Sequence, residues 1–147
     1  NRGRVVDGLD LAIDGLPPEW IRMSSVRVLL PPGEQAEVTI VIQPLRRSES
    51  RAGDYPFSVV VTSSETGREV ITSGQVTVLP FEGTEIALKP VRSRRDFQLI
   101  AANHGNAIAT YALAGKDDEE TFLYEFEAPA INLEPGAEGI VRLRVRP

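Results

Sequence analysis

The chain contains no cysteine, one histidine, one tryptophan and one methionine among its 147 residues. The missing thiol removes disulfides, cysteine nucleophiles and cysteine-ligated zinc together. The single imidazole, His104, leaves little from which to build a histidine zinc site or a Ser-His-Asp relay. It lies in turn-like sequence and reads as an exposed turn residue. No apolar run approaches the roughly 20 residues needed to span a bilayer. No signal-peptide pattern opens the chain, but Asn1 in place of Met reads as an internal piece of something longer, whose targeting signals would lie elsewhere. Positive charge is also scarce. Sixteen Lys and Arg stand against twenty-one Asp and Glu, a net charge of −5. The clusters Arg46–Arg47 and Arg92/Arg94/Arg95 fall in turn-like sequence rather than along one stripe. Nucleic acid, which needs concentrated positive charge, is excluded as a partner.

Carboxylates are plentiful but wrongly spaced for a cation. Asp7, Asp10 and Asp14 alternate unevenly, and "DDEE" at 117–120 lacks the Asp-x-Asp-x-Asp-Gly order of an EF-hand loop. No Gly-rich phosphate loop, nucleophile elbow or HExxH is present. The expectation is therefore no metal, no cofactor and no catalytic residue.

What the sequence does contain is a repeat. "NHGNAIATYAL" at 103–113 lies over "NRGRVVDGLDL" at 1–11, setting Asn103 and Gly105 on Asn1 and Gly3. "INLEPGAEGIVRLRVRP" at 131–147 lies over "VLLPPGEQAEVTIVIQP" at 28–44, setting Gly136 on Gly33. The offset is 102 residues at the first anchor and 103 at the second, so one residue is inserted between them. Two anchors in the same order at nearly the same spacing define a tandem unit of about 103 residues. Residues 81–102 have no counterpart before Asn1, and residues 45–80 have none after Pro147.

Every apolar segment alternates with period two, the signature of half-buried strands. Val141, Leu143 and Val145 alternate with three arginines; Tyr55, Phe57, Val59 and Val61 form one series, and Phe122, Tyr124 and Phe126 another. Pro31-Pro32-Gly33 and Glu134-Pro135-Gly136 each couple a fixed φ to a glycine, a turn before a strand. Glu65-Thr66-Gly67-Arg68 reads as a hairpin tip. Seven or eight short strands per unit predict an all-β fold: two tandem immunoglobulin-like antiparallel sandwiches, each incomplete, over 1–80 and 81–147. Tyr55, two residues after Gly53 at the head of a long strand, occupies the place of a tyrosine corner.

"DGLPPEW", "LLPPGEQAEVTIVIQP" and "AGDYPFSVVVTS" resemble the Ig-like domain found beside the catalytic domain of bacterial alpha-galactosidases and in bacterial surface proteins. The second copy is similar also to CARDB, the bacterial cell-adhesion-related domain. That copy has "GKDDEETF" where the first has "GLPPEW", so the likeness is weaker there. The resemblance implies a non-catalytic module of an extracytoplasmic or cell-surface protein, with Trp20 as framework. A surface Trp20 would instead offer a sugar-stacking face, giving the alternative of a carbohydrate-binding accessory domain attached to a glycoside hydrolase. The expected partners are neighbouring domains of the parent protein and a polysaccharide or cell-surface protein. No direct membrane insertion is expected, and strands left open at the edges of each incomplete sandwich would associate with those of other molecules.

Overall fold

A computed structural model describes residues 1–147. It is all-β: twelve strands in antiparallel sheets, with one short 3-10 turn at Pro18–Trp20. The strands are β1 (Asp7–Asp14), β2 (Ile21–Met23), β3 (Arg27–Leu30), β4 (Ile40–Ile42), β5 (Gly53–Ser63), β6 (Glu69–Val78), β7 (Thr84–Lys89), β8 (Asp96–Asn103), β9 (Ala109–Ala112), β10 (Leu123–Phe126), β11 (Ala130–Leu133) and β12 (Glu138–Arg146).

The chain divides into two compact units. The first holds Asn1–Leu45 and Gly53–Val78; the second holds Arg46–Ala52 and Leu79–Pro147. The excursion of 46–52 into the second unit has no signature in the hydrophobic pattern. Each unit is sandwich-like, with one four-stranded and one two-stranded sheet. In the first unit these are β3-β1-β5-β6 and β2-β4; in the second, β10-β12-β8-β7 and β11-β9.

The repeat is visible as register. Asp7 pairs with Leu30 and Asp10 with Arg27 in the first unit; at the same offsets, Ala109 pairs with Leu133 and Ala112 with Ala130 in the second. Likewise Ile21 pairs with Ile42 and Met23 with Ile40, matched by Tyr124 with Val145 and Phe126 with Leu143. The inserted residue is absorbed between β9 and β10, outside any ladder. What differs is which sheet is extended. In the first unit β5 and β6 build onto β1; in the second, β8 and β7 build onto β12.

Burial follows that difference. Leu143, on a strand flanked on both sides, is buried, whereas its counterpart Ile40, on a strand paired on one side only, is half-buried. The core of the first unit is Leu16, Trp20 and Leu30; that of the second is Ala101, Leu133, Val141 and Leu143. Phe122 lies just outside β10 and is 47% exposed, so the inward aromatic series of that segment begins only at Tyr124.

Candidate functional site

The Asn-x-Gly phrase is a backbone staple, built twice. Asn103 donates from Nδ2 to the Leu133 carbonyl at 3.0 Å and the Ala107 carbonyl at 2.8 Å, and its Oδ1 accepts from the Gly105 N–H at 2.9 Å. Asn1 does the same with Leu30 at 2.7 Å, Val5 at 2.8 Å and Gly3 at 2.8 Å. The backbone of the same residue closes the Pro-Gly turn. The Gly136 N–H donates to the Asn103 carbonyl and the Asn103 N–H to the Ala137 carbonyl. The Gly33 N–H donates to the Asn1 carbonyl and the Asn1 nitrogen to the Glu34 carbonyl.

Only a short amide that both donates and accepts can serve this geometry; an aspartate would set a carboxylate against two carbonyls. Gly33 at φ +81° and Gly136 at φ +77° occupy the left-handed position that the turn requires, closed by the Glu34 N–H to the Pro31 carbonyl and the Ala137 N–H to that of Glu134. Gly105 is required by approach instead, since a Cβ there would come within 2.5 Å of the Phe81 carbonyl oxygen. All these groups hold framework.

Trp20 is 3% exposed and meets Tyr55 edge-on, with ring centroids 4.9 Å apart at 72°. Its indole face is turned into the first unit, where no sugar can reach it. The Thr84 hydroxyl donates to the Tyr111 hydroxyl oxygen at 3.2 Å, and the Tyr124 hydroxyl donates to Asp117 Oδ1 at 3.4 Å.

The chemistry-bearing groups do not converge. His104 sits exposed with Nε2 2.9 Å from Glu85 Oε2. Arg27–Asp10, Arg51–Glu134, Arg144–Asp96 and Arg146–Glu125 are surface pairs at 2.8 to 3.2 Å, each with roughly half or more of both side chains in solvent. Such pairs contribute little apiece. The Asp96 carboxylate hydrogen-bonded to Arg144 holds that guanidinium above its ordinary pKa. No three His, Asp or Glu side chains gather as a metal site would require.

Within the acidic loop, partial desolvation would raise the Asp117 pKa. Hydrogen bonds from the Thr121 backbone and hydroxyl, the Phe122 backbone and Tyr124 outweigh that and hold the carboxyl below its usual range. Tyr124 is pushed upward in turn, first by desolvation and then by the Asp117 charge. This is a capped turn, with Asp117 Oδ2 accepting from the Thr121 N–H at 2.8 Å and hydroxyl at 3.0 Å.

One structural residue escaped the repeat comparison. Asn106, 1% exposed, donates to the Ser50 carbonyl at 2.9 Å and the Leu79 carbonyl at 3.1 Å and accepts from the Phe81 N–H at 2.8 Å. It thereby ties segment 46–52 into the second unit, helped by Arg46 stacked 4.5 Å over the Phe81 ring. Its counterpart in the first copy is Arg4, so a search for matching residues passes over it. A cavity of about 780 Å³ also belongs to the second unit; Phe97, Phe126 and Leu143 form its apolar floor, and Lys89, Asp96 and Glu125 stand at its rim. No protein-family model matches the chain, and no curated protein matches it either.

Proposed function

We propose that the chain is a non-catalytic spacer and interaction module, made of tandem immunoglobulin-like units of a bacterial extracytoplasmic protein. The observation that carries this reading is the fate of the one tryptophan. Trp20, the residue best suited to stack on a sugar, is packed on Tyr55 in the core at 3% exposure. The repeated asparagine staple supports the same reading, because it spends the most specific polar residues of the sequence on rigidity. A repeated unit with stiffened turns is suited to holding other domains at a distance. The placement outside the cytoplasm, like the kinship with the alpha-galactosidase-associated and CARDB domains, rests on the sequence resemblance.

Affinity electrophoresis through gels containing plant and bacterial polysaccharides tests the reading. The spacer assignment expects unchanged mobility in every gel. Retardation by one polysaccharide, relieved by free oligosaccharide, would move the assignment to a carbohydrate-binding module.

A further inference from the structure

We infer that the free edge of β9 is an acceptor for a β-hairpin of the β5–β6 type, donated by another unit of the same repeat. The inference deepens the spacer reading and rests on it, since it names how one unit engages the next.

The chain contains its own template. β1 and β9 are equivalent strands, each paired in the same register with its partner, β3 or β11. On its other side β1 carries β5, with Leu11 opposite Val61 and Ile13 opposite Val59. β9 carries nothing on that side, so its N–H and C=O groups form an open ladder. An open edge of this kind recruits a strand.

Side chains show the same asymmetry. In the first unit Tyr55 of β5 covers Trp20, which directly precedes β2. In the second, Phe122 and Leu123 stand at the corresponding place before Tyr124, and they are 47% and 66% exposed. The row Phe126, Leu143 and Phe97 runs in register across β10, β12 and β8 and floors the cavity of about 780 Å³. An incoming Tyr-x-Phe-x-Val strand at the β9 edge would present alternate apolar side chains to that sheet, as Tyr55 presents its ring to Trp20 in the first unit.

Total exposure agrees. The chain of 16.1 kDa exposes 10746 Å², whereas compact folding leaves about 7,400 Å² for one domain of that mass, or about 8,900 Å² for two of half the mass.

The test extends the full chain beyond Pro147 with a second copy of residues 45–80, which follows Pro44 as the repeat demands. Amide hydrogen exchange at 109–113 and binding of a fluorescent apolar dye are then compared with the unextended chain. The expected result is exchange slowed by about 100-fold or more and a severalfold loss of dye binding. A control extension, with Phe57→Asp and Val59→Asp in the appended copy only, should restore both signals. A synthetic hairpin of residues 50–80 added in trans reads the same amides without altering the chain. Unchanged exchange in both formats would overturn the inference, as would equal protection by the Asp-bearing extension. So would an unextended chain that dimerises by pairing β9 with β9 and so already protects those amides, since the occupant would then be the same edge of a second copy and not a β5–β6 hairpin. Polysaccharide binding, by contrast, would sink the spacer reading and leave the acceptor in place.

Discussion

At the residue scale the structure turns on asparagine. Asn103 and Asn1 make the same three side-chain hydrogen bonds, but Asn103 is 1% exposed while Asn1 lies near the surface. Burial decides what such bonds are worth, because a buried carbonyl left unpaired cannot turn to water. Asn103→Ala should therefore cost about 2–4 kcal/mol, and Asn1→Ala about 1 kcal/mol or less, read by urea denaturation. Equal losses would show that the staple acts through turn conformation rather than buried polar satisfaction. Trp20→Ala should cost about 3–5 kcal/mol, since the surrounding core cannot collapse around the void.

Elements are where turn chemistry and titration act. Gly33→Ala and Gly136→Ala both force a Cβ into the left-handed region, for about 1–2 kcal/mol each. The neighbours then separate them: nothing lies within 4 Å of a Cβ at 33, whereas Ser48 Oγ would lie 3.1 Å from one at 136. Gly136→Ala should be the more damaging by thermal melting. The loop from β9 to β10 carries the pH dependence. Because the folded pKa of Asp117 is depressed, its contribution is present above the ordinary carboxylate range and is lost as pH falls through the folded value. Between pH 5 and pH 2, the native chain should thus lose more stability than Asp117→Asn. Parallel pH profiles of the two proteins would remove that role from Asp117.

For the whole molecule the governing quantity is how little apolar surface leaves water. Each unit extends only one of its two sheets beyond a pair of strands, and few large side chains are fully enclosed. Heat capacity of unfolding scales with the surface exposed, so calorimetry should give less than the about 1.8–2.2 kcal/mol/K typical of 147 well-buried residues. A value inside that range would mean that the open faces are covered in solution.

Much of this was legible in advance, for definite reasons. Period-two alternation and proline–glycine punctuation are local, so the series Tyr55, Phe57, Val59 and Val61 falls within one strand, β5, and Val141, Leu143 and Val145 within another, β12. The repeat carried further, because a duplicated phrase implies duplicated pairing, and both ladders keep their register. The purpose of Asn-x-Gly was not legible. Its partners Leu30 and Leu133 lie about thirty residues downstream, and only folding brings their carbonyls to the amide. Asn106 and segment 46–52 were invisible for the same reason, joined across more than fifty residues where the Asn106 amide donates to the Ser50 carbonyl and the Ala52 N–H to the Asn106 carbonyl. Sequence by itself determined the strands, their turns and their duplication, which depend on neighbours along the chain. Tertiary structure alone decided which sheet each unit extends, where Trp20 points and which edge stays open. Those outcomes depend on which strand reaches a given edge, and no local pattern records that competition.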